Sequence, residues 1–189
     1  MPEGWGPLLA AALPLTGWTA HGVMLHRRLA AARRDPLTGL HTRDGWTRRA
    51  ERVITDQRAL VLLVDLNDFK AVNDAHGHAA GDAVLIRAAE RLAAWCGKAG
   101  VVGRLGGDEF AVAFIDHHGN AADRVNELRA ALAEPVPYEG AALATSATVG
   151  ACRVADLPVA CLTDALKAAD TAMYAAKPAG GRRAPRRPH

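Results

Sequence analysis

Three carboxylates, Asp65, Asp108 and Glu109, stand where this chain is best able to do chemistry. Asp65 directly follows the apolar run Val61-Leu62-Leu63-Val64, so a strand buried on both faces would hold it rigidly at the sheet's end. Asp108 and Glu109 lie in Gly106-Gly107-Asp108-Glu109-Phe110, between the β-like runs 101–105 and 110–115. Two glycines between such runs read as a tight hairpin, because glycine reaches positive φ without a Cβ clash. If the Asp65 strand neighbours this hairpin, the three acids meet and repel one another unless a cation sits among them. Oxygen ligands of this kind suit Mg²⁺, with Mn²⁺ as the alternative; Mg²⁺ keeps several waters and takes one or two carboxylates plus substrate phosphates. Such an ion stabilises phosphate charge and helps activate a hydroxyl nucleophile. Each acid also has a plainer reading. Polar hairpin tips are ordinarily solvated, and Asp65 alone could cap the turn that follows it.

Two lysines could hold the phosphates. Lys70 lies five residues after Asp65, and Lys177 follows Tyr174-Ala175-Ala176 near the end of the last helical stretch. The chain has four lysines against nineteen arginines, and lysine binds phosphate as a compact point charge. Asn73 and Asp82 form a further pair. Guanine offers N1–H and N2–H to a carboxylate and O6 to an amide NH₂, so an Asn with an Asp complements its edge, whereas adenine would leave the carboxylate unpaired. Asp82 reads equally as the N-cap of the helix it begins. His78 supports this loop or touches the ligand.

The elements that must position these residues are legible from periodicity. Helices are expected over 45–55, 69–75, 82–96, 121–133 and 162–177, with the buried strand over 59–64 and another over 145–154. The apolar faces are Val125, Leu128 and Leu132 in one helix and Leu162, Leu166, Ala169 and Met173 in another, while Pro135 and Pro137 end the former. The order β-α-α-β-β-α-β-α predicts an α/β sandwich around an antiparallel-containing sheet. At 189 residues, half of them apolar, the chain fits one domain plus an extension. A net charge of +3, much of it in the tail Arg182, Arg183, Arg186 and Arg187, is not the basic stripe of a duplex-DNA binder, and no nucleic-acid partner is expected. Cys96, Cys152 and Cys161 are odd in number and lack CxxC spacing, which fits reduced thiols in a cytosolic domain. Residues 4–25 carry no formal charge and are followed by Arg27, Arg28, Arg33 and Arg34. That is long enough for a single membrane anchor with the remainder in the cytoplasm, though its prolines and glycines equally suit an amphipathic arm.

Together these motifs resemble the GGDEF family of diguanylate cyclases. The likeness is carried by Asp35-Pro36-Leu37-Thr38-Gly39-Leu40-His41-Thr42-Arg43, Asp65-Leu66-Asn67-Asp68-Phe69-Lys70, Val72-Asn73-Asp74, Gly77-His78, Gly81-Asp82, Arg104-Leu105-Gly106-Gly107-Asp108-Glu109-Phe110, Ala169-Asp170, Met173-Tyr174 and Ala176-Lys177. It implies an N-terminal arm over 1–34, a GGDEF domain over 35–180 and a basic tail over 181–189. It also implies a nucleotide-cyclase/polymerase-palm-like fold, a central mixed, largely antiparallel sheet flanked by helices. The implied reaction condenses two GTP to cyclic di-GMP and two pyrophosphates in a homodimer. Asp65, the Leu66 carbonyl, Asp108 and Glu109 would hold the metal, and Asp108 and Glu109 would be catalytic. Asn73, His78 and Asp82 would meet guanine, Lys70 and Lys177 the phosphates, and Asp68 and Phe69 would complete the substrate site. Replacing Asp65 or Asp108 should abolish turnover with little loss of folding, since both acids would lie at the rim of the core. Thr42 stands where the family usually has asparagine, and Arg182 comes one place late after the final glycines. Gly97 and Gly100 occupy the positions of an inhibitory Arg-x-x-Asp motif, so product inhibition through that motif is not expected. The competing reading is a catalytically silent receptor for GTP or a cyclic dinucleotide, or a scaffold; the full acid set favours the enzyme.

Overall fold

A computed structural model of the chain describes residues 33–177. The uncharged segment 4–25, the boundary of the N-terminal arm and the basic tail lie outside the described residues. Among the described residues, no helix is long and apolar enough to cross a membrane.

The apolar run after residue 58 forms β1 (Ala59–Leu66), which is buried along almost its whole length, as a strand covered on both faces must be. It lies inside a four-stranded sheet of order β2-β3-β1-β6, where β2 is Gly100–Gly106, β3 Glu109–Ile115 and β6 Ala147–Arg153. All three pairings are antiparallel. The mixed character comes from one isolated parallel bridge, His41 with Gly103.

Strand alternation divides the core in two. Leu60, Leu62 and Val64 of β1, with Phe110, Val112 and Phe114 of β3, face α3 (His78–Cys96) and α4 (Ala121–Ala133). Ala59 and Val61, with Ala111 and Ala113, face α1 (Arg43–Val53) and α5 (Leu162–Ala176). The short α2 (Phe69–His76) follows β1 directly. The layout is a helix–sheet–helix sandwich, the α/β palm-like fold expected.

Three boundaries differ from expectation. Helix α3 starts at His78 with Gly77 as its N-cap, so Asp82 lies inside the helix and caps nothing. Pro135 does end α4, but the chain then makes a small hairpin, β4 (Val136–Tyr138) and β5 (Ala141–Leu143), that periodicity did not show. Its signal is the Glu139-Gly140 turn, where both residues take positive φ. Finally, β6 begins at Ala147 rather than Thr145, because the Thr145 hydroxyl instead donates to the carbonyls of Leu132 and Glu134 at the end of α4.

Candidate active site

The site forms where β1 ends beside the β2–β3 turn. The antiparallel register sets Asp65 directly opposite Glu109. Period-two alternation puts both on the α1/α5 side of the sheet, in line with Val61 and Ala111. Gly107 takes φ 52° in the turn, which a residue with a Cβ adopts only under strain. Asp108 follows in the turn, half-buried, and its carbonyl accepts the Leu66 amide at 3.2 Å. The hairpin tip is thus tied to the end of β1 through its backbone, and a bulge between Arg104 and Gly106 re-aims it.

Asp65 is 7% exposed, and a carboxylate so far from water requires a partner. That partner is Lys177, the C-cap residue of α5, whose Nζ lies 2.9 Å from Asp65 Oδ1. Both side chains are about nine-tenths buried. The lysine expected on a phosphate is here on the acid expected on a metal. Nor do three acids crowd together as expected. Among the described residues no group of three or more His, Cys, Asp or Glu side chains is gathered to hold a metal, because the register pairs Asp65 with Glu109 and leaves Asp108 in the turn. The donors still suit Mg²⁺, which needs only one or two carboxylates when phosphates and waters complete its shell. That a cation already sits against Asp65 shows that the spot favours positive charge.

The base-reading candidates come together on α2 and α3. A side chain at Gly81 would collide with the Asn73 amide and crowd the Phe69 ring, so glycine there lets α2 lie close against α3. Asn73 is thereby seated over the residue next to Asp82, whose side chain is exposed. His78 is exposed at the first position of α3, and Phe69 packs partly into the core. Lys70 is exposed and 4.0 Å from Asp74 one helical turn on, a pair that leaves it available. Asp68 holds a left-handed backbone, φ 53°, at the start of α2. It borders a cleft of about 370 Å³ between α2 and residues 143–146 that takes in none of Asp65, Asn73, Asp82 or Lys177. Asp68 thus faces this cleft, directly before Phe69 and Lys70.

Arg104 and Asp35, read from sequence only as motif residues, brace the tip through a contact that no local spacing shows. Arg104 donates through Nε and a terminal nitrogen to the Gly107 carbonyl, at 2.9 and 2.8 Å, and through its other nitrogen to Asp35 at 3.1 Å. Asp35 also accepts from the Thr38 hydroxyl and amide. Burial opposes ionisation of Asp35, but the Thr38 bonds and the Arg104 guanidinium hold its carboxyl below the usual value. The opening turn 35–40 is therefore the anchor of the hairpin tip. Asn67 plays a similar part after β1. Its amide nitrogen donates to the Ser146 hydroxyl at 2.9 Å, and its oxygen accepts from Thr148 at 2.7 Å. These partners lie about eighty residues away in sequence, beyond any local spacing signal.

Two family departures acquire physical reasons. Thr42 caps α1, its hydroxyl accepting the Gly45 amide at 3.5 Å, which is what an asparagine would do. At Gly100, any side chain would strike the Ala113 carbonyl and the Phe114 side chain of β3. Glycine at this motif position thus fits the way β2 packs against β3.

The family model described as the diguanylate cyclase GGDEF domain matches residues 32–183. The chain is 62% identical over 169 residues to a 19.3 kDa protein of the repSA 5′ region in Streptomyces ambofaciens, covering 89% of this chain and 91% of that one. It is 37% identical over 157 residues to the diguanylate cyclase TpbB of Pseudomonas aeruginosa, covering 77% of this chain but 35% of TpbB's length. Among solved structures, a sensory box/GGDEF family protein from Caulobacter crescentus superposes with a TM-score of 0.70 at 36% identity, covering 76% of this chain and 97% of that one.

Proposed function

Given that the chain belongs to the GGDEF diguanylate cyclase family, we propose that it condenses two GTP into cyclic di-GMP with release of two pyrophosphates. The observation that carries this reading is the pairing of Asp65 with Glu109 where the two inner strands end, beneath an intact Gly-Gly-Asp-Glu-Phe turn. Asp65, the Leu66 carbonyl, Asp108 and Glu109 would hold Mg²⁺ or Mn²⁺. When bound, the ion supplies charge neutralisation at the phosphates and activation of the attacking hydroxyl. Asn73 and Asp82 orient guanine, with His78 at the same end, and Lys70 binds the phosphate tail.

Each 3′-hydroxyl attacks the α-phosphorus of the other GTP. A bond from O3′ to that phosphorus forms, the bond to the oxygen bridging the α- and β-phosphates breaks, and pyrophosphate leaves. The hydroxyl proton passes to Glu109 or Asp108. One site holding one GTP cannot close the twelve-membered ring, so two protomers must meet face to face, each with its own nucleotide. The reaction is placed in the cytoplasm, where GTP is. No product inhibition acts through the Gly97–Gly100 positions. Incubation of the full chain with GTP and Mg²⁺ tests the reading. Cyclic di-GMP and pyrophosphate are expected in a one-to-two ratio, whereas guanine-nucleotide binding without product would indicate a silent receptor instead.

A further inference from the structure

The contact between Lys177 and Asp65 is too well made to be incidental to a site that binds a cation. The two residues lie 112 positions apart in the chain. Their side chains are 11% and 10% exposed, and the ammonium sits 2.9 Å from the carboxylate. Glu109 faces Asp65 across the ladder on the same side of the sheet. A divalent ion at Asp65 and an ammonium on the same oxygen would repel each other at close range, where the protein screens charge far less than water does. Both cannot stay. The lysine stem is long and flexible, and its charge then needs a new partner.

We infer that Lys177 is a placeholder cation. It neutralises Asp65 while the site is empty of metal, gives up that carboxylate when a divalent ion enters, and swings to the incoming triphosphate. The inference rests on Asp65 being a metal ligand. It makes the two binding events help each other. Metal alone must evict a well-placed ammonium, whereas with the triphosphate present the evicted ammonium gains an anion. Such coupling is reciprocal, so whatever weakens metal binding in the absence of nucleotide strengthens the mutual dependence of the two.

The test is Mn²⁺ binding to the full chain, read from the spectrum of free Mn²⁺, with and without a GTP analogue that has a methylene between the α- and β-phosphates. Lys177→Gln should bind Mn²⁺ without nucleotide about tenfold more tightly than the parent, within the usual span of such couplings. It should also show a correspondingly smaller gain on adding the analogue. Lys177→Arg should keep the parent's weak nucleotide-free affinity. Asp65→Asn should lose tight Mn²⁺ binding. If Asp65→Asn loses it but Lys177→Gln binds no more tightly than the parent, the placeholder role is wrong and the metal site stands. If Asp65→Asn binds Mn²⁺ as the parent does, the metal reading beneath it is wrong. A second measurement needs no variant. The chain has four lysines, so its ammonium resonances can be told apart in the ¹⁵N-lysine-labelled protein. The Lys177 signal should be protected from exchange in metal-free protein and should move with saturating Mg²⁺. A Lys177 signal indifferent to Mg²⁺ would overturn the proposal.

Discussion

Asp65 carries a double load, structural and chemical, and its substitutions should show both. Removing its carboxylate takes the 2.9 Å partner from the largely buried Lys177 ammonium, and a buried polar group that loses its partner costs about 1–3 kcal/mol, more when charged. Asp65→Ala should therefore abolish turnover and also lower stability, contrary to the rim position expected from sequence. Asp108→Ala should abolish turnover alone, because its side chain is in an open turn and only its backbone carbonyl ties the tip to Leu66. Urea unfolding of the two variants separates them; equal stability would show that the Asp65–Lys177 pair contributes nothing net. Asp82 is an exposed helical residue with no capping duty, so Asp82→Ala should leave the melt unchanged. It should weaken GTP by about 1–3 kcal/mol, a group left unpaired, while leaving ATP nearly unaffected. Competition binding with both nucleotides checks this.

Two braces fix individual elements, one at the hairpin tip and one at the opposite end of β3. The Arg104 fork spans the Gly107 carbonyl and Asp35, a planar arrangement that lysine cannot copy. Arg104→Lys should loosen the tip without unfolding the sheet. Amide exchange at Gly107 and Asp108 should quicken, and turnover should fall about tenfold or more, as misplacement of a catalytic group costs. Unchanged exchange at the tip would show that the turn holds itself. The second brace is Asp116, which accepts the amides of His118, Gly119, Asn120 and Ala121 at the start of α4. Burial opposes its ionisation, yet those amides hold its carboxyl below the ordinary 3.8. A depressed folded-state value means that its stabilisation is complete above 3.8 and is lost as pH falls below that through the folded value. Asp116→Ala should cost about 1–2 kcal/mol at neutral pH, as a lost cap does, and the gap should narrow in urea melts near pH 3. These braces also mark the limit of what spacing reveals. The β1 strand, the hairpin, α4 and the acids at strand ends were legible because period-two and period-3.6 patterns are local. The start of α3 was hidden by its run of alanine, glycine and histidine around residues 76–81, which carries no apolar stripe. The links from Arg104 to Asp35, Asn67 to Ser146 and Lys177 to Asp65 join residues that only the folded sheet brings together.

At the scale of the molecule, the sandwich places Asp65, Asp108 and Glu109 where its two inner strands end, and leaves Lys70, His78 and Asp82 exposed on α2 and α3. That exposed rim suits a reaction that needs a second copy of the same site. Half of the reacting atoms must come from a partner, so the rate should rise with roughly the square of protein concentration while the protein is mainly monomeric, and linearly once it is dimeric. A rate strictly proportional to concentration in a monomeric sample would be incompatible with paired sites. Product should not inhibit through the Gly97–Gly100 positions, since Gly100 brings no carboxylate and a Cβ there would strike the Ala113 carbonyl. The most direct test is product analysis of the full chain with GTP and Mg²⁺ over a series of protein concentrations, with its oligomeric state followed in parallel. Cyclic di-GMP is expected, with two pyrophosphates for each, and neither product from Asp108→Ala. A dimeric, folded, GTP-bound sample that makes no cyclic di-GMP would contradict the proposed reaction.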